Sequence, residues 1–187
     1  MKRLFAIFAM LLSIQIGLEA TPKPAAPAKK VLVVFFSHTG NTRGIARQIQ
    51  EAAGADIFEI QPVAPYPTNY KAVVDQAKRE LGSGYRPPLK SAGPDPSSYE
   101  TIFIGSPNWW GTIAPPVMTY LSSHNLSGKR IVPFITHGGS RMGKSMGDVR
   151  KLAPGATVVD GRAFWGNSVQ EAGSEVRGWM RELQLLK

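Results

Sequence analysis

Hydroxyl and amide side chains are concentrated in one short segment, Ser37-His38-Thr39-Gly40-Asn41-Thr42, directly after an apolar run that begins at Val31. The run has the composition of a strand buried on both faces, and a helical pattern begins at Thr42. A helix N-terminus offers unpaired N–H groups and partial positive charge, and neighbouring hydroxyls can bind the same anion. Gly40 permits a tight turn and a close backbone approach. The segment therefore predicts an anion-binding loop; a plain strand-to-helix turn with a good helix cap is the alternative.

The sequence of this loop restricts the kind of anion. It matches neither GxxxxGK[ST] nor GxGxxG, so no lysine is positioned for a nucleoside triphosphate. Hydroxyl and amide groups without a lysine suit a single terminal phosphate monoester. The chain has no cysteine, and its three histidines, His38, His124 and His137, have no partners at metal-ligand spacing. No nucleophile or general-base dyad stands out, so we predict neither a catalytic residue nor a metal site.

A second polar loop, Ser106-Pro107-Asn108-Trp109-Trp110-Gly111, follows the apolar strand predicted at Thr101 to Gly105. Two adjacent tryptophans in a tight loop cannot both point into one core. At least one indole should lie at the rim, where it can stack on a flat ligand. The alternative is that both rings pack against the following helix.

A third loop, Thr136-His137-Gly138-Gly139-Ser140-Arg141-Met142-Gly143, follows the apolar strand that begins at Arg130. Its glycines expose backbone N–H groups that could bind the carbonyl oxygens and ring nitrogens of a heterocycle. Alternatively, Gly138 and Gly139 only turn the chain before the next helix.

The elements around these loops place all three at one edge of a sheet. Five strands alternate with about five helices, which predicts an α/β fold with a doubly wound, five-stranded parallel sheet. The second helix carries an apolar stripe, Tyr70, Val73, Val74, Ala77 and Leu81, that we expect to pack on the sheet. Ligands of such sheets bind outside the carboxyl ends of the strands. A phosphate loop beside an indole predicts a phosphorylated planar heterocycle.

The N-terminal segment has the composition of an export signal. In residues 1–20, Lys2 and Arg3 precede an apolar core, and the cleavage site follows Ala20. An uncleaved anchor is the alternative, but the apolar run is shorter than a membrane span. Residues 21–30 form a Pro/Ala/Lys linker, and residues 31–187 form one domain. We therefore expect an exported protein, periplasmic or secreted, with no stable membrane span after signal cleavage.

Together the three loops resemble the flavodoxin-like family, and within it the FMN-binding flavodoxins with Trp-Trp-Gly and Thr-x-Gly-Gly-Ser loops. The resemblance extends from Val31 to about Leu186. It implies a flavodoxin-like strand order, 2-1-3-4-5, with helices on both faces and FMN as the cofactor. The FMN phosphate would bind Ser37, Thr39, Gly40, Asn41 and Thr42, the ring would lie against Trp110 or Trp109, and the backbone of residues 136–140 would face the pyrimidine end.

The cofactor-binding residues that the resemblance implies all come from the three loops. They are Ser37, His38, Thr39, Gly40, Asn41, Thr42, Pro107, Asn108, Trp109, Trp110, Gly111, Thr136, His137, Gly138, Gly139, Ser140 and Gly143. Two features depart from the family: His137 stands where relatives commonly carry a small hydroxyl residue, and the formal net charge is +9, whereas flavodoxin electron carriers are typically acidic.

The resemblance implies electron transfer with a redox partner protein or a small quinone-like acceptor. The alternatives are an FMN-dependent NAD(P)H:quinone or nitro-compound oxidoreductase and a flavin-free module that kept the scaffold. Reduced nicotinamides are mainly cytoplasmic, so export counts against the enzyme. Nucleic acid is not an expected partner, because the basic residues are scattered and no aromatic-basic reader motif is present.

Overall fold

The structure is a computed structural model that describes residues 30–186. The predicted signal peptide and almost all of the predicted linker lie outside the described residues, and both stay predictions. Within the described range, no helix is long and apolar enough to cross a membrane.

Strands and helices alternate along the whole domain. In chain order the elements are β1 (Val31–Phe35), α1 (Asn41–Ala53), β2 (Asp56–Glu59), α2 (Tyr70–Ser83), β3 (Thr101–Trp109), β4 (Thr112–Ile113), α3 (Pro115–Ser123), β5 (Arg130–His137), α4 (Ser145–Leu152), β6 (Thr157–Val158), β7 (Arg162–Trp165) and α5 (Gly173–Glu182). Short 3₁₀ turns precede β3, at Pro96–Ser98, and α5, at Gly166–Glu171.

The sheet has the order β2-β1-β3-β5-β6, and each of these neighbours pairs in parallel. This confirms the predicted flavodoxin-like order. The sheet contains seven strands rather than five, because two short segments, β6 and β7, share the place beside β5. The additional strand β4 pairs antiparallel with β3.

Apolar side chains cover both faces of the sheet, as the continuous apolar runs predict. All five residues of β1 are buried. On one face, Ile45 and Ile49 of α1 pack with Val176 and Trp179 of α5 in one core cluster. On the other face, α3 and α4 contribute to a second cluster, with Tyr120 among its fully buried side chains. The predicted double winding is therefore confirmed.

The second polar loop is largely strand, which corrects the prediction that the strand ends at Gly105. Strand β3 continues to Trp109 because Ser106 and Pro107 pair with β5, and Asn108 and Trp109 pair with β4. Trp110 and Gly111 form the turn between β3 and β4, with φ angles of 52° and 81°. The two adjacent tryptophans therefore occupy different backbone environments.

Helix α2 is only partly buried against the sheet. Val73 and Ala77 are buried as the apolar stripe predicts, but Tyr70 is 81% exposed. Asn69 caps the helix, since its side chain accepts a hydrogen bond from the Ala72 N–H. The prediction that Tyr70 packs on the sheet is wrong.

Candidate functional site

The three polar loops meet around one cavity of about 520 Å³ at the carboxyl ends of β1, β3 and β5. Parallel pairing of these strands brings their ends to the same edge. The predicted cofactor residues that line the cavity are His38, Thr39, Asn41, Pro107, Asn108, Trp109, Trp110, Gly111, Thr136, His137, Gly138 and Ser140. Contact of these residues with a cofactor stays a prediction.

The first loop contains a helix cap, and other residues of the same loop offer donors to the predicted anion site. Ser37 is buried, and its Oγ accepts hydrogen bonds from the N–H groups of Gly40 and Arg43, both at 3.2 Å. Thr39 is exposed and, like Asn41, lines the cavity. The N–H groups of Asn41 and Thr42 precede the first intrahelical bond, from Gly44 N–H to Gly40 O at 2.9 Å. These two N–H groups have no partner within the helix and are available to an anion.

The basic side chains near this loop already interact with other groups of the same chain. Arg43 donates two hydrogen bonds to Glu59, at 2.8 Å and 2.6 Å, and this contact raises the arginine pKa. The His38 Nε2 lies 2.8 Å from the Pro67 carbonyl oxygen, so Nε2 carries the proton and donates it. An anion here therefore depends on backbone N–H groups, the helix dipole and the Thr39 and Asn41 side chains.

A buried hydrogen bond joins the first loop to the third. The hydroxyls of Thr42 and Thr136 lie 2.8 Å apart, and the two residues are 1% and 4% exposed. Thr42 thus connects α1 to the end of β5, while Thr136 also lines the cavity. The bond fixes the spacing between the predicted phosphate loop and the glycine-rich loop.

We expect Thr42→Val to lower the free energy of unfolding by about 1–3 kcal/mol, because it leaves the buried Thr136 hydroxyl without its partner. Thr136→Val should cost a similar amount. The double variant should cost clearly less than the sum of the two, because neither hydroxyl is then left unpaired. Urea unfolding of the four proteins measures this coupling. Additive losses would contradict a direct bond between the hydroxyls.

The two tryptophans differ in what holds them. The Trp109 ring makes edge contacts with Tyr66, Phe36 and His38, at centroid distances of 4.9, 5.5 and 6.0 Å. Trp110 is 52% exposed, and its Nε1 donates a 3.1 Å hydrogen bond to the Val74 carbonyl of α2. Trp109 is therefore part of an aromatic cluster under the cavity, and Trp110 is a rim residue oriented by α2.

Asn108 ties the tryptophan turn to the third loop. Its Oδ1 accepts a 2.9 Å hydrogen bond from the Gly111 N–H, and its Nδ2 donates a 2.7 Å bond to the Arg141 carbonyl. At Gly143, with φ of 53°, a Cβ would lie 2.2 Å from the Gly111 carbonyl oxygen. The neighbouring Lys144 N–H donates to that same oxygen at 2.8 Å. The two loops therefore support each other through close backbone contact.

In the third loop, His137 is held in a neutral form. Its Nδ1 accepts a 3.0 Å hydrogen bond from the Gly139 N–H, and its ring meets Trp165 edge-on at 5.4 Å. Burial, and then the charge of Arg141, lower the pKa of His137 below its ordinary value. Because the Gly139 N–H is used, the N–H groups left for a ligand are those of the lining residues Gly138 and Ser140.

We expect the His137 pKa, followed by NMR titration, to lie below 6.5 and to rise in Arg141→Gln, which removes the nearby positive charge. A lowered pKa means that the unfolded chain takes up the proton first. The stabilising contribution of neutral His137 is therefore present above pH ~6.5 and is lost as the pH falls through the folded-state pKa. A His137 pKa above 6.5, or one unaffected by Arg141→Gln, would contradict this account.

Two groups of lining residues were missed by the sequence reasoning. Helix α2 contributes Tyr70, Val73, Val74 and Ala77, which were assigned to the core stripe, and Gly166 and Asn167 follow strand β7. A signal for the second group was present, since Arg162 to Trp165 is a short aromatic run ending in Gly-Asn, like the other strand ends. A Cβ at Gly166 would lie 2.7 Å from the Asn41 Nδ2, so Asn41 lies against this residue.

Five predicted cofactor residues do not line the cavity: Ser37, Gly40, Thr42, Gly139 and Gly143. Their side-chain and backbone contacts hold the loops in place, as the Ser37 cap and the Thr42 bond show. Gly40 has a φ of 96°, which allows the chain to enter α1 from the loop.

The lining fits FMN in the chemistry of its donors. Hydroxyl, amide and helix N-terminal N–H groups at one end suit a phosphate, and aromatic and aliphatic side chains at the walls suit a planar ring. Unpaired backbone N–H groups of the third loop suit the polar edge of such a ring.

Comparison with known proteins finds a matching family model and similar solved structures. Residues 30–183 match a family model described as Flavodoxin. A candidate flavoprotein from Bacteroides uniformis is 31% identical, with a TM-score of 0.72 over 82% of this chain and 99% of that one. A second candidate flavoprotein, from Bacteroides eggerthii, is 30% identical, with a TM-score of 0.72 over 82% of this chain and 96% of that one. No protein with a curated function matches the sequence.

A more distant structure contains a cofactor. The flavoprotein of Lactobacillus acidophilus, solved in complex with FMN, is 24% identical, with a TM-score of 0.62 over 79% of this chain and 99% of that one. At that identity the likeness concerns the fold alone.

Proposed function

The chain belongs to the flavodoxin family, and we propose that it is an exported, FMN-dependent electron-transfer protein. FMN is the cofactor that membership of this family supports. When bound, FMN supplies the redox chemistry, and the protein supplies binding, orientation and electrostatics. One observation carries the proposal: the hydroxyl-rich loop at the start of α1 and the Trp110 indole line the same cavity.

In this proposal the protein holds the phosphate without a cationic side chain. Thr39 and Asn41 and the free N–H groups at the start of α1 surround it, and Arg43 is neutralised by Glu59. The Thr42–Thr136 bond sets the distance from this end to the third loop, where the Gly138 and Ser140 N–H groups face the ring edge.

We expect Trp110→Ala to weaken FMN binding about tenfold, because the exposed indole is the proposed stacking surface. Its effect on the free energy of unfolding should be small, since the ring is half exposed. Trp109→Ala should instead cost about 2–4 kcal/mol of stability, because the ring packs against three aromatic neighbours. FMN fluorescence titration and thermal unfolding measure the two effects. If a folded Trp109→Ala variant lost more FMN affinity than Trp110→Ala, the stacking contact would be assigned to Trp109 instead.

An electron carrier is favoured over an enzyme by the side chains that line the cavity. They include no carboxylate, lysine or thiol, and the titratable groups are His38, Tyr70 and His137. Each histidine already has a protein hydrogen bond, from His38 to Pro67 and from Gly139 to His137. A lining without a carboxylate, lysine or thiol suits electron transfer, which needs no proton donor from the protein.

Export remains part of the proposal and rests on residues 1–20. The N-terminal mass of the protein recovered from the native host, together with its fractionation, tests the cleavage after Ala20. Recovery of an intact N-terminus with the cytoplasmic fraction would overturn export.

The functional test uses the domain expressed from Thr21, mixed with FMN and then desalted. We expect retained flavin bands with a perturbed shape, and single-turnover oxidation of the reduced protein by an added acceptor. A colourless protein that also fails to quench FMN fluorescence would remove the cofactor assignment. Multiple turnovers with NADH or NADPH and a quinone would favour the alternative, an FMN-dependent quinone or nitro-compound oxidoreductase.

A further inference from the structure

A second cleft, of about 280 Å³, adjoins the proposed flavin cavity, and Trp110 lines both. Its apolar lining includes Leu81, Met118 and Leu152, which belong to or pack against the core. The cations that line it are Arg86, Lys144 and Lys151. We call this surface, together with Lys78, the basic cleft.

The positive charge of the basic cleft is poorly compensated. Asp148 is the one carboxylate in its lining, and its Oδ2 accepts the Thr112 hydroxyl and lies 3.9 Å from the Lys144 Nζ. Arg86 donates only to the Gly84 and Tyr85 carbonyls, at 3.3 Å each. Within residues 30–186, neither Arg86 nor Lys151 has a carboxylate within ion-pair distance. Three lining cations thus face one carboxylate.

The fourth cation of the basic cleft, Lys78, lies beside the Trp110 indole. The Lys78 Nζ lies 5.0 Å from the centroid of the Trp110 ring, within the range of a cation–π contact. Trp110 therefore has a positive charge beside its ring and lines both cavities. A molecule seated in the cleft would contact the same indole that lines the proposed flavin cavity.

We propose that the basic cleft docks an acidic protein that exchanges electrons with the flavin, its carboxylates meeting these cations around an apolar contact. The inference deepens the proposed function and rests on it. The spacing of the cations favours a protein over a small anion. Lys144, the N-cap residue of α4, and Lys151 stand seven residues apart, about 10 Å along the helix axis, and Arg86 reaches the cleft from the segment that follows α2. Several separate carboxylates are needed to satisfy them.

The net charge of the chain also favours a negatively charged partner. The formal net charge is +9, and it becomes +8 when cleavage removes Lys2, Arg3 and Glu19. This charge attracts an acidic protein at long range, and a local excess of cations beside Trp110 orients it. The partner surface complementary to this cleft is acidic at its rim and apolar at its centre.

The test measures binding of a fluorescein-labelled peptide that alternates leucine and glutamate, by fluorescence anisotropy at low ionic strength. It compares the wild-type domain with the triple variant Arg86→Glu, Lys144→Glu, Lys151→Glu. The matched control is Arg47→Glu, Arg177→Glu, Arg181→Glu, which changes the same net charge at exposed positions of α1 and α5 on the opposite face. Circular dichroism confirms that each variant is folded.

We expect the cleft variant to bind the peptide about tenfold more weakly than wild type, and the control to bind within about twofold of it. Equal losses in both variants, or no binding by wild type, would overturn the inference. Displacement of the peptide by octanoate at similar concentration would also overturn it, in favour of a small amphipathic anion. The same samples are titrated with FMN, so that a loss of FMN binding is distinguished from a loss of peptide binding.

Discussion

Replacing Thr39 by glutamate should reduce FMN affinity by at least about a hundredfold. Thr39 is exposed and lines the cavity at the start of α1, so the new carboxylate enters the proposed phosphate site without disturbing the core. Two like charges about 4 Å apart near a protein surface repel by about 4 kcal/mol, and the phosphate carries more than one charge. Fluorescence titration of the desalted domain with FMN measures the loss.

Two controls separate charge from shape at this position. Thr39→Gln has nearly the size of the glutamate variant and should retain most of the affinity. Riboflavin, which lacks the phosphate, should bind wild type and Thr39→Glu equally. If riboflavin binding fell as much as FMN binding, the phosphate would not lie at Thr39. The neighbouring Thr42 is unsuitable for this test, because its hydroxyl is buried against Thr136 and an acidic residue there would disrupt the fold.

The second large effect is expected at Gly143. In Gly143→Ala the new Cβ would lie 2.2 Å from the Gly111 carbonyl oxygen and 2.8 Å from its carbon, and the φ of 53° is itself unfavourable for alanine. Both obstacles are backbone, so no side chain can move aside. Overpacking and the left-handed conformation together should cost about 2–4 kcal/mol, which lowers the melting temperature by roughly 4–16 °C.

This substitution should also weaken FMN binding, because the Trp110–Gly111 turn must move away from the third loop. Gly147→Ala is the matched control: it adds the same methyl group four residues later, inside α4, with nothing within 4 Å of the new Cβ. That variant should be more stable than wild type by about 0.5–1 kcal/mol, since alanine favours a helix interior. Thermal unfolding followed by circular dichroism distinguishes the two. Equal stability of Gly143→Ala and wild type would contradict the close backbone contact.

Much of the fold was determined by local patterns in the sequence. The apolar run at β1 predicted a strand buried on both faces, and all five of its residues are buried. The alternation of strands and helices predicted double winding, and the family resemblance supplied the strand order, which the pairing of β1, β3 and β5 confirms. The convergence of the three loops also followed from sequence, because parallel strands end at one edge of a sheet.

The sequence could not determine which polar groups face the ligand. Ser37 and Thr39 are both hydroxyl residues of one loop, but Ser37 is buried as a cap and Thr39 is exposed at the cavity. Their orientations depend on the turn into α1 and on contacts with a strand end that lies far away in sequence. Neither the turn geometry nor these distant contacts can be predicted from local composition.

The tertiary structure alone decided the roles of the two tryptophans and of α2. Trp109 extends β3 because that strand pairs with β5 and β4, whereas Trp110 lies in the turn and is oriented by the Val74 carbonyl of α2. The same helix turns Tyr70 to solvent at the cavity, although its spacing fits a core stripe. The sequence therefore determined the fold and the position of the candidate site, because both follow from short-range periodicity and strand direction. Side-chain orientation within the site was decided only in the tertiary structure, because it depends on pairings between segments distant in sequence.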